Sequence, residues 1–222
     1  GLIDFPLFQE TVNKLKNLLH YNIDFKVVDI SKYGVPQRRK RLVLIGSLIG
    51  PVSIIEGDNH IRTVRESIGD IESIIPPNDQ LHNIYPKHSK RVQTMISLIP
   101  KDGGSRKSLP VSMQLECHKK SNIGFADIYG RLAWEKVSTT ITGGCLSPSK
   151  GRFLHPAEDR CISAREAALL QTFPATYKFP TDIPRARLAL QIGNALPPEF
   201  SRQQARILYD HLARLSKSQA II

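Results

Sequence analysis

The sequence predicts an α/β protein in two parts, a regular framework at both ends of the chain and a loop-rich insert between them. Three observations carry that prediction. Within the first 50 residues a helix-periodic stretch is followed by two apolar segments of strand character, "FKVVDI" and "RLVLIGSLI". From about Gly69 to His155 the chain is broken by Pro76–Pro77, Pro86, Pro100, Asp102–Gly103–Gly104, Pro110, Gly143–Gly144 and Pro148, and its periodicity is weak. Helical spacing then returns at Ser163 and persists to the end. The expected division is 1–68 for the first framework segment, 69–158 for the insert and 159–222 for helices that return to the framework.

Taken in order, Phe8, Val12, Leu15, Leu18 and Leu19 recur at helical spacing after Pro6, which predicts an amphipathic helix to about His20. "FKVVDI" reads as a strand. After the loop "YGVPQRRK", the nearly unbroken apolar run "RLVLIGSLI" is expected to be a strand buried on both faces. In the insert only a short helix around "SKRVQTMISLI" and short strands such as "STTIT" are predicted. "SARE" places Ser163 three residues before Glu166, the reciprocal arrangement that opens a helix, which should end before Pro174. "RARLALQI" forms a shorter helix stopping at Gly193, where Gly193–Asn194 is suited to a C-cap. Pro197 and Pro198 suit the first turn of a last helix with an inner stripe of Phe200, Ile207, Leu208, Leu212 and Leu215.

Composition narrows the function. At 222 residues and 41% hydrophobic the chain can bury a real core, and no apolar run approaches the ~20 residues of a membrane span. The first residues lack the layout of a secretory signal, so a soluble intracellular protein is expected; with no initial Met, the chain reads as one that begins partway through a longer design. Cys117, Cys145 and Cys161 have no CxxC spacing and the seven histidines no HxH or HExxH spacing, which supports neither a disulfide framework nor a metal site. The formal charge of +11 points to a polyanion. Between Tyr85 and Arg152 twelve Lys or Arg stand against four Asp or Glu, so the excess sits in the insert. Trp134, the sole tryptophan, is expected in the core rather than stacked on a base.

Three stretches in this order, "QRRKR" before a strand, "RCISAREAALLQTFP", and "QIGNALPP" before a closing helix, resemble the last three motif blocks of the DNA (cytosine-5)-methyltransferases. The flanking "YGRLAWEKVSTTITGG" strengthens the likeness, which covers nearly the whole chain but only the C-terminal part of the family's pattern. It implies the C-terminal portion of a Rossmann-like sheet that uses S-adenosylmethionine, with a target-recognition region between the first and second blocks. The family's Gly-rich cofactor loop, Pro-Cys nucleophile and Glu-Asn-Val acid lie N-terminal to these blocks. Here Glu116, Gly144 and Arg160 precede the three cysteines, and no Glu-Asn-Val occurs. The resemblance therefore implies one subunit of a split enzyme, silent until a second chain supplies the missing motifs. It also implies a cytoplasmic, nucleoid-associated bacterial protein of a restriction–modification system.

Cytosine C5 becomes nucleophilic only after a thiolate adds to C6, and the charge that builds on the extruded ring calls for fixed cations at O2 and N3. By the resemblance, Arg41 lies nearest O2 and pairs with the partner's acid, Arg39 contacts flanking phosphates or braces the site, and Gln37 orients the arginines. Alternation leaves Arg38 and Lys40 facing solvent. Asn194, helped by Ala195 and Leu196, is expected against S-adenosylmethionine, while Arg160, Arg165 and Glu166 are expected to be structural. For duplex DNA, Arg131 and Lys136 are expected on phosphates, and Thr139, Thr140, Thr142, Gly143 and Gly144 at base edges. Without the downstream motifs "QRRKR" reads rather as a solvated basic loop or a nuclear-targeting run. Also open are a non-enzymatic DNA-binding module, a methylase of RNA, and a fragment of a single-chain enzyme.

Overall fold

The computed structural model describes residues 1–114, 116, 119 and 127–219, with side chains of the last helix described to Arg214. Cys117 and the side chain of Leu215 lie outside that set. Helix α1 (Pro6–Asn17) leads into strand β1 (Asn22–Asp29), which pairs antiparallel with β2 (Lys40–Ser47) in the register Asn22↔Ser47 to Asp29↔Lys40. Among the described residues five α-helices follow before the last: α2 (Val64–Ile68), α3 (Ile71–Ile74), α4 (Lys90–Ser97), α5 (Ala164–Leu170) and α6 (Arg185–Asn194). Helix α7 (Pro198–Gln219) closes the described chain.

The two strands form a two-stranded sheet, and β2 is not buried on both faces as its apolar run suggested. The reason is coverage. On one face α1 reaches only the Phe25 end, where Phe8 meets the Phe25 ring edge-on at 5.2 Å, so Val27 and Leu44 stay exposed. On the other face Val43 and Ile45 pack on a cluster of Val28, Ile30, Tyr33, Val35, Ile54 and Phe200. "STTIT" makes only an isolated bridge, Ser138 to Gln37. The stripe of α7 is buried at Phe200 but leaves Leu212 exposed.

The main core gathers Val64 and Ile68 of α2, Leu132, Ile141 and Phe153 of the insert, every apolar residue of α5, and Leu188, Ala189 and Ile192 of α6. Helix α5 is buried along its whole length. Its start is the predicted reciprocal cap: the Glu166 N–H donates to Ser163 Oγ at 3.1 Å, and the Ser163 N–H to Glu166 Oε2 at 2.7 Å. Thr63 and Glu66 cap α2 in the same way. Helix α6 does not end at Gly193; it runs through Asn194 and is followed by extended Ala195. Gly193 serves packing instead, since a Cβ there would lie 2.0 Å from the Thr142 carbonyl carbon.

Candidate active site

The three sequence blocks meet at two buried glutamines. The loop before β2 turns at Gly34, whose φ of +71° suits glycine. It then delivers the Gln37 side chain, fully buried, to the end of α5. Gln37 Nε2 donates to the Leu170 carbonyl at 3.2 Å and to Gln171 Oε1, while its Oε1 accepts the Ile141 N–H at 3.0 Å. Gln171 Nε2 in turn donates to the carbonyls of Ile192 at 2.8 Å and Ala195 at 3.0 Å. Arg39 closes the ring, its Nη1 donating to the Ile141 carbonyl at 2.9 Å and the Gly193 carbonyl at 3.2 Å. "QRRKR", "LLQTF" and "QIGNA" are thereby fastened to one another through side chains in the low-dielectric interior, where each bond is strong and each unmade one costly.

Arg39 braces this frame. Its guanidinium is buried, and desolvation together with the charge of Arg41 holds its pKa below the usual arginine value. Its Nε is buried without a partner among the described residues. Gln37 orients the blocks rather than the arginines, because its three bonds go elsewhere. Arg38, Lys40 and Arg41 are exposed. Arg41 stands on β2 opposite Val28 with Nη1 on the Lys40 carbonyl at 2.7 Å, a local bond that leaves most of its donors open.

At the end of α6, Asn194 and Leu196 present exposed side chains, and the Ala195 carbonyl is drawn inward by Gln171. An exposed amide beside an apolar side chain, on a backbone pinned from below, is a donor set that fits the amino-acid end of a cofactor.

Arg131 is a correction to the sequence reading. It has no accessible surface, and its guanidinium donates to the carbonyls of Ile96 at 2.8 Å, Ile99 at 3.0 Å and His155 at 3.0 Å, with an ion pair to Asp159. A side chain so placed ties the 96–99 and 155–159 segments to its own and cannot reach a phosphate. The Thr139 and Thr140 hydroxyls donate to the carbonyls of Arg152 at 3.4 Å and Arg38 at 2.5 Å. Gly143 and Gly144 allow close approach to Leu190 and Lys150 of the chain itself. Thr142 and Lys136 are exposed.

Arg160, Arg165 and Glu166 are engaged in ion pairs and a helix cap. Arg160 grips Glu166 with two bonds of 2.8 and 2.7 Å, and Arg165 binds Asp79 and the Tyr177 carbonyl at 3.0 Å. His155 and Glu158 sit beside Glu166 in ligand-like proximity, but both carboxylates face Arg160 and His155 Nδ1 accepts the Glu158 N–H at 2.9 Å. Trp134 packs against the main core with Arg65 over its ring at 5.1 Å. Gln171 was not singled out in the sequence; an uncharged polar residue inside the apolar run Ala167–Phe173 was the available signal. Cys145 and Cys161 are buried, and burial pushes the Cys145 thiol up to about 12 and the Cys161 thiol upward as well, so neither offers a thiolate.

The site is a buried hydrogen-bonded frame whose neighbouring residues include the exposed cations Arg38, Lys40 and Arg41 and the exposed amide of Asn194. The family model for C-5 cytosine-specific DNA methylases matches residues 4–209, and the chain belongs to that family. Enzymes of this family take their methyl group from S-adenosylmethionine. The chain is 35% identical to the Type II methylase M.HgiDII of Herpetosiphon aurantiacus over 97% of its own length and 63% of that protein's. It is 31% identical to the Type II methyltransferase M1.BsuMI of Bacillus subtilis over 87% of its length and 45% of that protein's. It thus spans about half to two thirds of these relatives. Among solved structures the fold resembles a putative DNA modification methyltransferase encoded within an E. coli prophage, with TM-score 0.58, 20% identity and coverage of 95% of this chain and 67% of that one. It also resembles the S. pombe Dnmt2 methyltransferase, with TM-score 0.52, 14% identity and coverage of 96% and 63%.

Proposed function

We propose that this chain is the recognition-bearing part of a DNA (cytosine-5)-methyltransferase that methylates C5 of an extruded cytosine in a specific duplex site within a restriction–modification system. S-adenosylmethionine, when bound, supplies the electrophilic methyl group. Arg41 lies against O2 of the extruded base and offsets the negative charge that develops there, and Arg39 holds the loop beneath it. Asn194 and Leu196 form the wall for the donor's amino-acid end. Residues 69–158 read the target, with Thr142 exposed for base edges and Lys136 exposed for a phosphate.

The observation that carries this reading is the convergence of Gln37, Arg39, Gln171 and the Gly193–Ala195 carbonyls, which brings three distant sequence blocks into one frame. The nucleophile and the acid come from polypeptide outside these 222 residues, and we place them on a second chain. Two observations favour an outside source: the described cysteines are buried with raised pKa values, and the framework exposes Leu7 of α1, Leu18 and Leu19 just after it, Val27, Leu44 and Leu212.

Bisulfite sequencing of DNA from cells producing this chain together with a polypeptide carrying the Pro-Cys and Glu-Asn-Val motifs tests the proposal. It should reveal 5-methylcytosine at one position of one duplex sequence. Unmodified duplex DNA beside methylated RNA would contradict it.

A further inference from the structure

A cleft of about 240 Å³ opens where the Gly34–Arg41 loop meets the insert, and Arg38, Gly103, Asp127, Lys136, Thr139 and Arg152 are among its lining residues. Arg38 is fixed at its root from two directions: its N–H donates to the Ser138 carbonyl at 2.9 Å, and its carbonyl accepts from the Thr140 hydroxyl. Its guanidinium is exposed, and neither it nor the exposed Lys136 ammonium has a hydrogen bond or ion pair among the described residues.

The other charges of the lining are spent. Arg152 Nη1 donates to the carbonyls of Gly103, Gly104 and Arg131 at 2.9, 3.0 and 2.9 Å, and its Nε and Nη2 both bind Asp127 Oδ1. Asp127 is the single carboxylate among the described residues of the lining, and it is already neutralised. Two free cations therefore overlook a hollow with room for several waters, at about 30 Å³ each, and with no aromatic side chain among the described residues of its lining on which a base would stack. The ligand chemistry this matches is a phosphodiester oxygen pair.

The geometry points to this cleft as the seat of a backbone phosphate of the duplex, held by Arg38 and Lys136, which makes Arg38 a DNA-positioning residue rather than a solvated bystander. The inference rests on the proposed function. Its consequence is one of register: Arg38 lies between Gln37 and Arg39, both locked in the buried frame, so a phosphate gripped here sets the duplex relative to Arg41.

The test uses the active enzyme, this chain together with the polypeptide that completes it, with variants Arg38→Gln, Arg38→Lys, Lys136→Gln and, as a distant control, Lys14→Gln, which only breaks an α1 surface pair with Glu10. Duplex affinity is measured across a salt series, with methyl transfer at saturating DNA alongside. Arg38→Gln and Lys136→Gln should each weaken cognate and non-cognate binding alike, about threefold to tenfold, and lower the slope of log affinity against log salt by about one. Arg38→Lys should keep the wild-type slope, and Lys14→Gln should change neither the slope nor transfer at saturation. A wild-type slope in both Arg38→Gln and Lys136→Gln, in an enzyme that still methylates duplex DNA, overturns the phosphate seat alone. Wild-type enzyme that neither binds nor methylates duplex DNA overturns the proposed function and the seat with it.

Discussion

Gln37 and Gln171 show how two uncharged side chains can decide where charged ones stand. Removing either amide strands polar groups in the interior: Gln37→Leu leaves the Ile141 N–H without its acceptor, and Gln171→Leu leaves the Ile192 and Ala195 carbonyls without their donor. A buried group left unpaired costs about 1–3 kcal/mol. Each variant should therefore lower the midpoint of urea denaturation by a corresponding amount, and a midpoint equal to wild type would show that the network is not load-sharing. Arg41 makes the opposite prediction. Its exposed guanidinium contributes little to the fold, so Arg41→Ala should melt like wild type while cutting turnover of the completed enzyme at least a hundredfold, with duplex affinity within a fewfold. Equal losses in turnover and affinity would reduce Arg41 to a phosphate contact. At this scale the sequence was informative where spacing is local: Gln37, Arg39 and Arg41 stand out within five residues. Gln171 did not, because its partners are carbonyls some 20 residues onward and an amide 134 residues back, and no local period encodes such a meeting. Arg131 misled for the same reason, since a guanidinium satisfied by backbone carbonyls looks in sequence like any other cation of a basic stretch.

Among the elements, α5 and α6 position the site. The Ser163–Glu166 cap was legible because both partners lie within one turn, and the same signature at Thr63–Glu66 was there to be read for α2. Glu166 does more than cap. Burial pushes its carboxyl pKa up, but the two bonds from Arg160, helped by nearby His155, outweigh that and leave it below the ordinary glutamate value. A carboxylate whose folded pKa lies below its unfolded one stabilises fully above the unfolded value, about 4.3, and loses that stabilisation as pH falls through the folded value. Wild-type stability should therefore drop in acid below about pH 4. Glu166→Gln should be less stable at neutral pH by about 3 kcal/mol, the order expected when one partner of a buried pair is removed, and should show a shallower acid limb. Parallel pH profiles for the two proteins would refute the assignment. In α6, Gly193→Ala drives a methyl group into the Thr142–Gly143 backbone, and overpacking of this kind costs about 1–3 kcal/mol. Its helix propensity would favour Ala, so a stabilised variant would show that the two segments separate freely.

Over the whole molecule the hairpin and the terminal helices followed from hydrophobic period, whereas the connection of the insert to them did not. The main core takes residues from α2, from 132–153 and from α5 and α6, so the insert and the framework share an interior. Much of the insert is held by arginines, Arg131 and Arg152, bonded to carbonyls of loops, an arrangement without a repeating pattern to detect. The strand β2 was over-read as fully buried because an apolar run reports what a strand can bury, and here one face of the hairpin remains largely open. The proposed division of the active centre between two chains would cover that open face and use the exposed Arg41. The most direct test is transfer of a labelled methyl group from S-adenosylmethionine to duplex DNA by three samples: this chain, a polypeptide carrying the Pro-Cys and Glu-Asn-Val motifs, and the two mixed. Transfer by the mixture alone is the predicted result; transfer by this chain in isolation would contradict it.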